Sequence, residues 1–186
     1  MLHTQKYRST FLINDSIVLN GFIVLLASIV LAVISQIALP WNPVPLTFQS
    51  AMVVLLGLAL GSKRAAAAVA LYLLEGACGL PVFAQGFGGA AVFGMASGGY
   101  LIGFLPAAFI AGWMMEKGMA KNIPLIFAAA LMSSVIIFAF GVARLSVLFG
   151  FKAAVVFGVQ PFLVTEPIKL IVASLIAKSA WKRKDA

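Results

Sequence analysis

Two opposite charges stand three residues apart in the otherwise mostly apolar run Gln160-Pro161-Phe162-Leu163-Val164-Thr165-Glu166-Pro167-Ile168-Lys169. Residues at i and i+3 share a helix face, so Glu166 and Lys169 form an acid–base pair on one side of one helix. A charge at the centre of a membrane span costs about 2.5–3.5 kcal/mol, and charges kept there face a cavity or a partner. Two uses of the pair are open. It either neutralises itself and stitches helices together, or it supplies the polar end of a ligand site. Glu166 precedes Trp181 by 15 residues, about 22 Å along a helix axis, which puts it below the outer surface of a bilayer. Thr165 or Gln160 is expected to cap the helix start, and Pro167 suits a first turn. Backbone N–H groups would then point into the site.

The stretch from Gly79 to Gly98 is a second candidate. It holds Phe83, Gln85, Phe87, Gly88, Gly89 and Phe93 and is too apolar for an ordinary solvated loop. Glycines allow a backbone to approach a flat ligand or a neighbouring helix closely, and the phenylalanines offer apolar walls. A re-entrant segment packed only for structure is the alternative. Gly86 to Ala91 matches G-x-G-x-x-A, but no strand precedes it and no acid follows about 20 residues on, so a dinucleotide site is rejected. Gln49 lies just inside an apolar segment after Pro43-Val44-Pro45-Leu46-Thr47-Phe48. A buried amide must find partners, whether a neighbouring helix or a ligand. Trp41 reads as an interface anchor. Arg144 either snorkels to the surface or binds a carboxylate through its fork. Glu75 has no partner that the sequence can name. Ser28 and Ala32 have the small-xxx-small spacing that lets a second helix approach, inside the protein or from a partner.

Other chemistries are missing their residues. The single histidine, His3, and single cysteine, Cys78, are too few for a histidine triad, a zinc site of the H-E-x-x-H type or an intrachain disulfide. No metal site and no catalytic set is assigned. No G-x-x-x-x-G-K-[ST] run exists, so the chain carries no P-loop of its own.

Composition decides the class of element that holds these residues. Of the 186 residues, 63% are hydrophobic and 10% charged, and mean hydropathy is +1.11. Soluble domains carry about 25% charge, so a soluble enzyme is excluded and an all-α integral membrane protein is expected. A span needs about 20 apolar residues to cross about 30 Å of hydrocarbon. Segments 17–39, 47–61, 65–78, 99–115, 123–145 and 160–181 are read as six transmembrane helices of one domain, with tails 1–16 and 182–186. The second and third are short. Pro40, Pro43 and Pro45 stiffen the first loop.

The net charge of +8 is a topology signal rather than a nucleic-acid footprint, since no basic stripe with interleaved aromatics is present. Lys6, Arg8, Lys63, Arg64, Lys117, Lys121, Lys178, Lys182, Arg183 and Lys184 fall on one side of a six-span arrangement. Arg144 and Lys152 fall on the other. The positive-inside rule then places both termini in the cytoplasm and the first, third and fifth loops outside.

Several stretches, in order, resemble one known family: Pro43-Val44-Pro45-Leu46-Thr47-Phe48-Gln49, Tyr72-Leu73-Leu74-Glu75-Gly76-Ala77-Cys78-Gly79-Leu80-Pro81-Val82-Phe83-Ala84, Ser97-Gly98-Gly99-Tyr100-Leu101-Ile102-Gly103-Phe104, and Pro161-Phe162 with Glu166-Pro167-Ile168-Lys169. They are similar to the BioY family of biotin transporters, the substrate-binding (S) components of energy-coupling factor (ECF) transporters. The resemblance implies the six-helix ECF S-component fold in a bacterial inner membrane. It implies biotin bound near the outer face, no cofactor, and docking to a T protein that carries two ATPase subunits. The family's acid-x-x-Lys element falls on Glu166 and Lys169, where the acid is usually Asp. Other departures are Phe87 in place of a polar residue, Met95-Ala96 in place of Gly-Pro, and Arg144 in place of an aromatic.

On that implication Glu166 accepts from the ureido N–H groups, and Gln49 or Gln85 serves the ureido carbonyl. Phe83 and Phe87 cover the ring, with Gly88, Gly89 and Tyr100 around it. Lys169 or Arg144 meets the carboxylate, or Lys169 meets the ureido oxygen. Ser28 and Ala32 would form the docking face. An S component for a different vitamin is the nearest rival reading. A membrane-embedded enzyme and a small channel or structural bundle are weaker ones, because no activated nucleophile is visible.

Overall fold

A computed structural model of the chain describes residues 7–9 and 16–183. The outermost tail positions of the sequence reading, including His3, Lys6, Asp15, Lys184 and Asp185, lie outside the described residues. The structure is mostly helical (78%). Strand β1 (Tyr7–Ser9) pairs antiparallel with β4 (Trp181–Arg183), which brings the two ends of the chain together. Between them run α1 (Ile17–Ser35), a short hairpin of β2 (Ala38–Leu39) and β3 (Leu46–Thr47), α2 (Gln49–Leu60), α3 (Ser62–Ala77), α4 (Gly98–Glu116), α5 (Ile123–Phe149), α6 (Phe151–Gly158) and α7 (Thr165–Ser179).

By length and composition α1, α4 and α5 qualify as membrane spans, and a bent pair (Phe151–Phe162 with Thr165–Ser179, 49° apart) makes a fourth. Helix α2 has 12 residues, about 18 Å of axis, which is short of the hydrocarbon core. Two boundaries differ from the sequence reading for identifiable reasons. Lys63 and Arg64 do not sit in a loop: α2 and α3 are joined through Gly61 alone, at φ 84°, where a glycine backbone turns without a Cβ clash. Arg144 does not end the fifth helix, because α5 runs on to Phe149 and Gly150, again at positive φ, turns it directly into α6. The segment after Cys78 matches its glycine-rich reading, with 3-10 turns at Ala84–Gly86 and Ala90–Gly94 and no regular helix.

Helix α4 is the central element and packs most extensively on α5, then on α2 and α3. Its glycines make that possible. A Cβ on Gly99 would meet the Phe140 carbonyl and Arg144, and one on Gly112 would meet the backbone of Gly61 and Ser62. Such close approach replaces the hydrophobic effect, which is weak between helices in lipid, with dispersion contact. Helix α1 is the least covered, with Phe22, Ile29 and Val33 facing outward.

Polar capping closes one end of the bundle. The Glu116 carboxylate, at the end of α4, accepts from the Ser62 backbone N–H at 2.7 Å and from its hydroxyl. This satisfies part of the bare α3 N-terminus. Lys178 donates to the carbonyls of Ala120 and Lys121, and the Trp181 indole donates to the Leu58 carbonyl. Lys63, Arg64, Lys117, Lys121 and Lys178 therefore share this end with the β1–β4 pair, while the β2–β3 hairpin and the 79–98 segment form the other.

Candidate functional site

The hairpin end encloses a cavity of about 220 Å³ between the first loop, the 79–98 segment, the first turns of α2 and α4, the middle of α5 and Phe162. The hairpin places its polar edge. Thr47 Oγ1 accepts from the Gln49 backbone N–H (3.3 Å) and donates to Gln49 Oε1 (3.4 Å). Gln49 Nε2 donates to the Tyr72 hydroxyl (2.5 Å), and that hydroxyl donates to the Val82 carbonyl (3.1 Å). One chain of hydrogen bonds thus ties α2, α3 and the 79–98 segment. Ser35 and Gln36, at the end of α1, hold the same segment through the carbonyls of Val82 and Phe83.

Aromatic rings form the apolar walls. Phe83 is buried edge-on against Tyr72 and Phe93. Tyr100, Phe138 and Phe162 make a second cluster, and the Tyr100 hydroxyl donates to the Gly158 carbonyl at 2.8 Å, fastening α4 to the end of α6. Trp41, 50% exposed, stands at the rim with Phe87. Gln85 also reaches the rim and is the one non-glycine residue with positive φ (62°) among the described residues. Residues held in such sparsely populated conformations cluster at ligand sites.

Of the sequence-derived candidates, Gln49, Phe83, Gln85, Phe87 and Tyr100 line the cavity, and Gly88, Gly89, Arg144, Glu166 and Lys169 do not. The glycines fold the segment instead. Gly89 N–H donates to the Gly76 carbonyl at 2.7 Å, and Gly88 lies so close to the carbonyls of Gly79 and Leu80 that a side chain would collide. Arg144 donates to the carbonyls of Gly94 and Met95, bracing the segment from α5.

Glu166 and Lys169 are one layer behind the wall. Their ion pair closes at 2.5 Å with both side chains largely buried. Lys169 also donates to the Thr47 carbonyl and Ser50 Oγ (both 3.1 Å), while Ser50 and Ser134 donate to Glu166. Ser50 and Thr47 do line the cavity, so the charges communicate with it through Ser50. No side chain caps α7, whose N-cap is Val164; Thr165 Oγ1 turns back to the Phe162 carbonyl. Glu166 and Pro167 fall in the first turn, as the sequence suggested. Phe138 and Phe162 also line a second, apolar groove of about 410 Å³ between α5 and α7, with Glu166 among its lining residues.

Two other candidates resolve differently. Glu75 finds its partner in Ser28, whose hydroxyl donates to it at 3.1 Å. Ser28 is fully buried and Ala32 packs on the core. This corrects the docking-face assignment: the small-residue spacing brings α1 against α3, so it is used inside the protein. The sequence reading missed Ser50, Tyr72, Ser134 and Phe138. Their signal was only a polar or aromatic residue within an apolar helix, too common to single out.

A membrane-embedded bundle with an enclosed, mixed polar and aromatic cavity at one end defines a small-molecule-binding membrane protein. Comparison with known proteins makes this specific. The model of the BioY family matches residues 5–186. A biotin transporter BioY from Rhizobium etli is 35% identical over 81% of this chain and 85% of its own. One from Thermotoga maritima is 42% identical over 76% and 83%. A crystal structure of the S-component for biotin from an ECF-type ABC transporter superposes with a TM-score of 0.75 at 26% identity, over 89% of this chain and 92% of that one. The chain belongs to the BioY family, and its relatives are transporters rather than enzymes.

Proposed function

We propose that this chain is the biotin-binding, biotin-uptake subunit of an ECF transporter. The observation that carries the reading is the cavity itself. It presents Thr47, Gln49, Ser50 and Ser97 beside aromatic walls, which suits a ligand with a ureido ring, an apolar thioether ring and a tail. Gln49 and Ser50 face the ureido group. Phe83, Phe87 and Tyr100 cover the apolar rings. Gln85, at the rim, meets the tail. Glu166 and Lys169 act through Ser50, and contact the ligand directly only when Ser50 gives way. Gly88, Gly89 and Arg144 shape the wall.

Membrane placement belongs to the same proposal. The six spans are α1, α2, α3, α4, α5, and α6 with α7 as one broken span. The short α2 and α3 are accommodated because α4 and α1 flank them. Chain ends that pair through β1 and β4 agree with an even number of crossings. The basic end faces the cytoplasm by the positive-inside rule, in a bacterial inner membrane, and the cavity faces outward. ATP hydrolysis is assigned to two ATPase subunits bound through a T protein. The chain itself is assigned no cofactor.

Calorimetric titration of biotin into the detergent-solubilised protein tests the reading. Tight binding is expected, and the Glu166→Gln/Lys169→Ala double variant should lose it. No binding by folded protein overturns the assignment of biotin.

A further inference from the structure

We infer that Tyr72 is a positioning residue that fixes which way the Gln49 amide faces, and so sets which hydrogen-bonding pattern the cavity accepts. This rests on the biotin reading of the site. An amide side chain offers a donor and an acceptor on groups of nearly equal shape, so nothing about its size selects an orientation. Here two neighbours select it. The Tyr72 hydroxyl faces the Val82 carbonyl at 3.1 Å. A carbonyl only accepts, so the tyrosine proton goes there, and the hydroxyl is left to accept from Gln49 Nε2 at 2.5 Å. On the other flank Thr47 Oγ1 receives the Gln49 backbone N–H and gives its own proton to Gln49 Oε1. In the flipped amide Tyr72 would turn its proton from the Val82 carbonyl to Oε1 and Nε2 would donate to Thr47 Oγ1, so two hydrogen bonds would stand where the present orientation makes three.

This orientation leaves Gln49, which lines the cavity, with one N–H and one Oε1 lone pair that Tyr72 and Thr47 do not use. A ureido group carries an N–H beside a carbonyl, so it matches this pair in one register. Replacing the matched N–H by an oxygen sets lone pair against lone pair, and a site with a fixed acceptor rejects that change strongly. Tyr72 is fully buried and does not line the cavity. It therefore acts through Gln49.

The test compares biotin with its two cyclic-carbamate analogues, each with ring oxygen in place of one ureido N–H, on the parent and on Tyr72→Phe. The Val82 carbonyl keeps a donor in that variant, because Ser35 Oγ also donates to it at 2.6 Å. The parent should discriminate against at least one analogue by about tenfold or more. Tyr72→Phe should narrow that ratio to about threefold or less, with biotin losing more affinity than the analogue. A role in packing alone would weaken all three ligands by one factor, and that outcome overturns the inference. A second readout needs no ligand. In side-chain-labelled protein one Gln49 Nε2 proton should exchange slowly with solvent and lose protection in Tyr72→Phe. Two rapidly exchanging protons in the parent also overturn it. If the parent binds none of the three ligands, the biotin reading fails, and the exchange measurement still decides the orientation of the amide.

Discussion

Lys169 Nζ lies 2.5 Å from Glu166 Oε2 and meets three acceptors with its three N–H groups, so the pair is satisfied inside the protein without a ligand. Removing one partner strands the other's charge in a medium that cannot solvate it. Lys169→Ala or Glu166→Gln should each destabilise the folded protein by about 3 kcal/mol or more, and Glu166→Gln/Lys169→Met by less than either. Denaturant or thermal unfolding in detergent checks the order. A double variant that is the worst of the three would show that the pair is not self-compensating.

Arg144 separates a brace from a ligand contact. Its guanidinium is occupied by the carbonyls of Gly94 and Met95, so Arg144→Ala should loosen the 79–98 segment and speed ligand release. Biotin and biotin amide should lose affinity by the same factor, since a brace does not sense the carboxylate. A loss confined to biotin would make Arg144 the reader of the carboxylate instead.

Gly141 packs on the face of the Tyr100 ring, where a Cβ would collide with it. Gly141→Ala must push Tyr100 off the Gly158 carbonyl and into the cavity. Overpacking of this kind costs about 1–3 kcal/mol, and binding should fall with it. Gly21, where a Cβ meets nothing within 4 Å, is the control: Gly21→Ala should leave binding unchanged.

Cys78 is the chain's one cysteine and is exposed beside the cavity end. A membrane-impermeant maleimide should label it from outside in right-side-out vesicles, and Cys78→Ser should remove all labelling. Labelling only after the vesicles are opened would invert the proposed orientation.

The sequence showed the membrane class, the charge-divided ends and the pair at Glu166 and Lys169, because each rests on composition or on spacing within one element. It did not show that Gly61 replaces a loop or that α6 follows α5 without one, since a glycine between apolar runs reads alike in a helix and at a turn. Nor did it place Glu166 behind Ser50 or join Tyr72 to Gln49. Those contacts join residues 116 and 23 positions apart, and no local pattern encodes them. Ser28 shows the same limit in reverse: the spacing was legible, but only the fold tells that Glu75 is what approaches it.

Phe138 and Phe162 line both the polar cavity and the apolar groove between α5 and α7. A bound molecule would then be divided from the surrounding hydrocarbon by little more than two side chains. Acyl chains or detergent tails pressing into that groove become the outer backing of the partition, much as a gasket depends on the flange behind it. The amphiphile chosen to extract the protein is therefore a variable of the binding site, and affinities measured in detergents of different tail length belong on one plot with those measured in lipid.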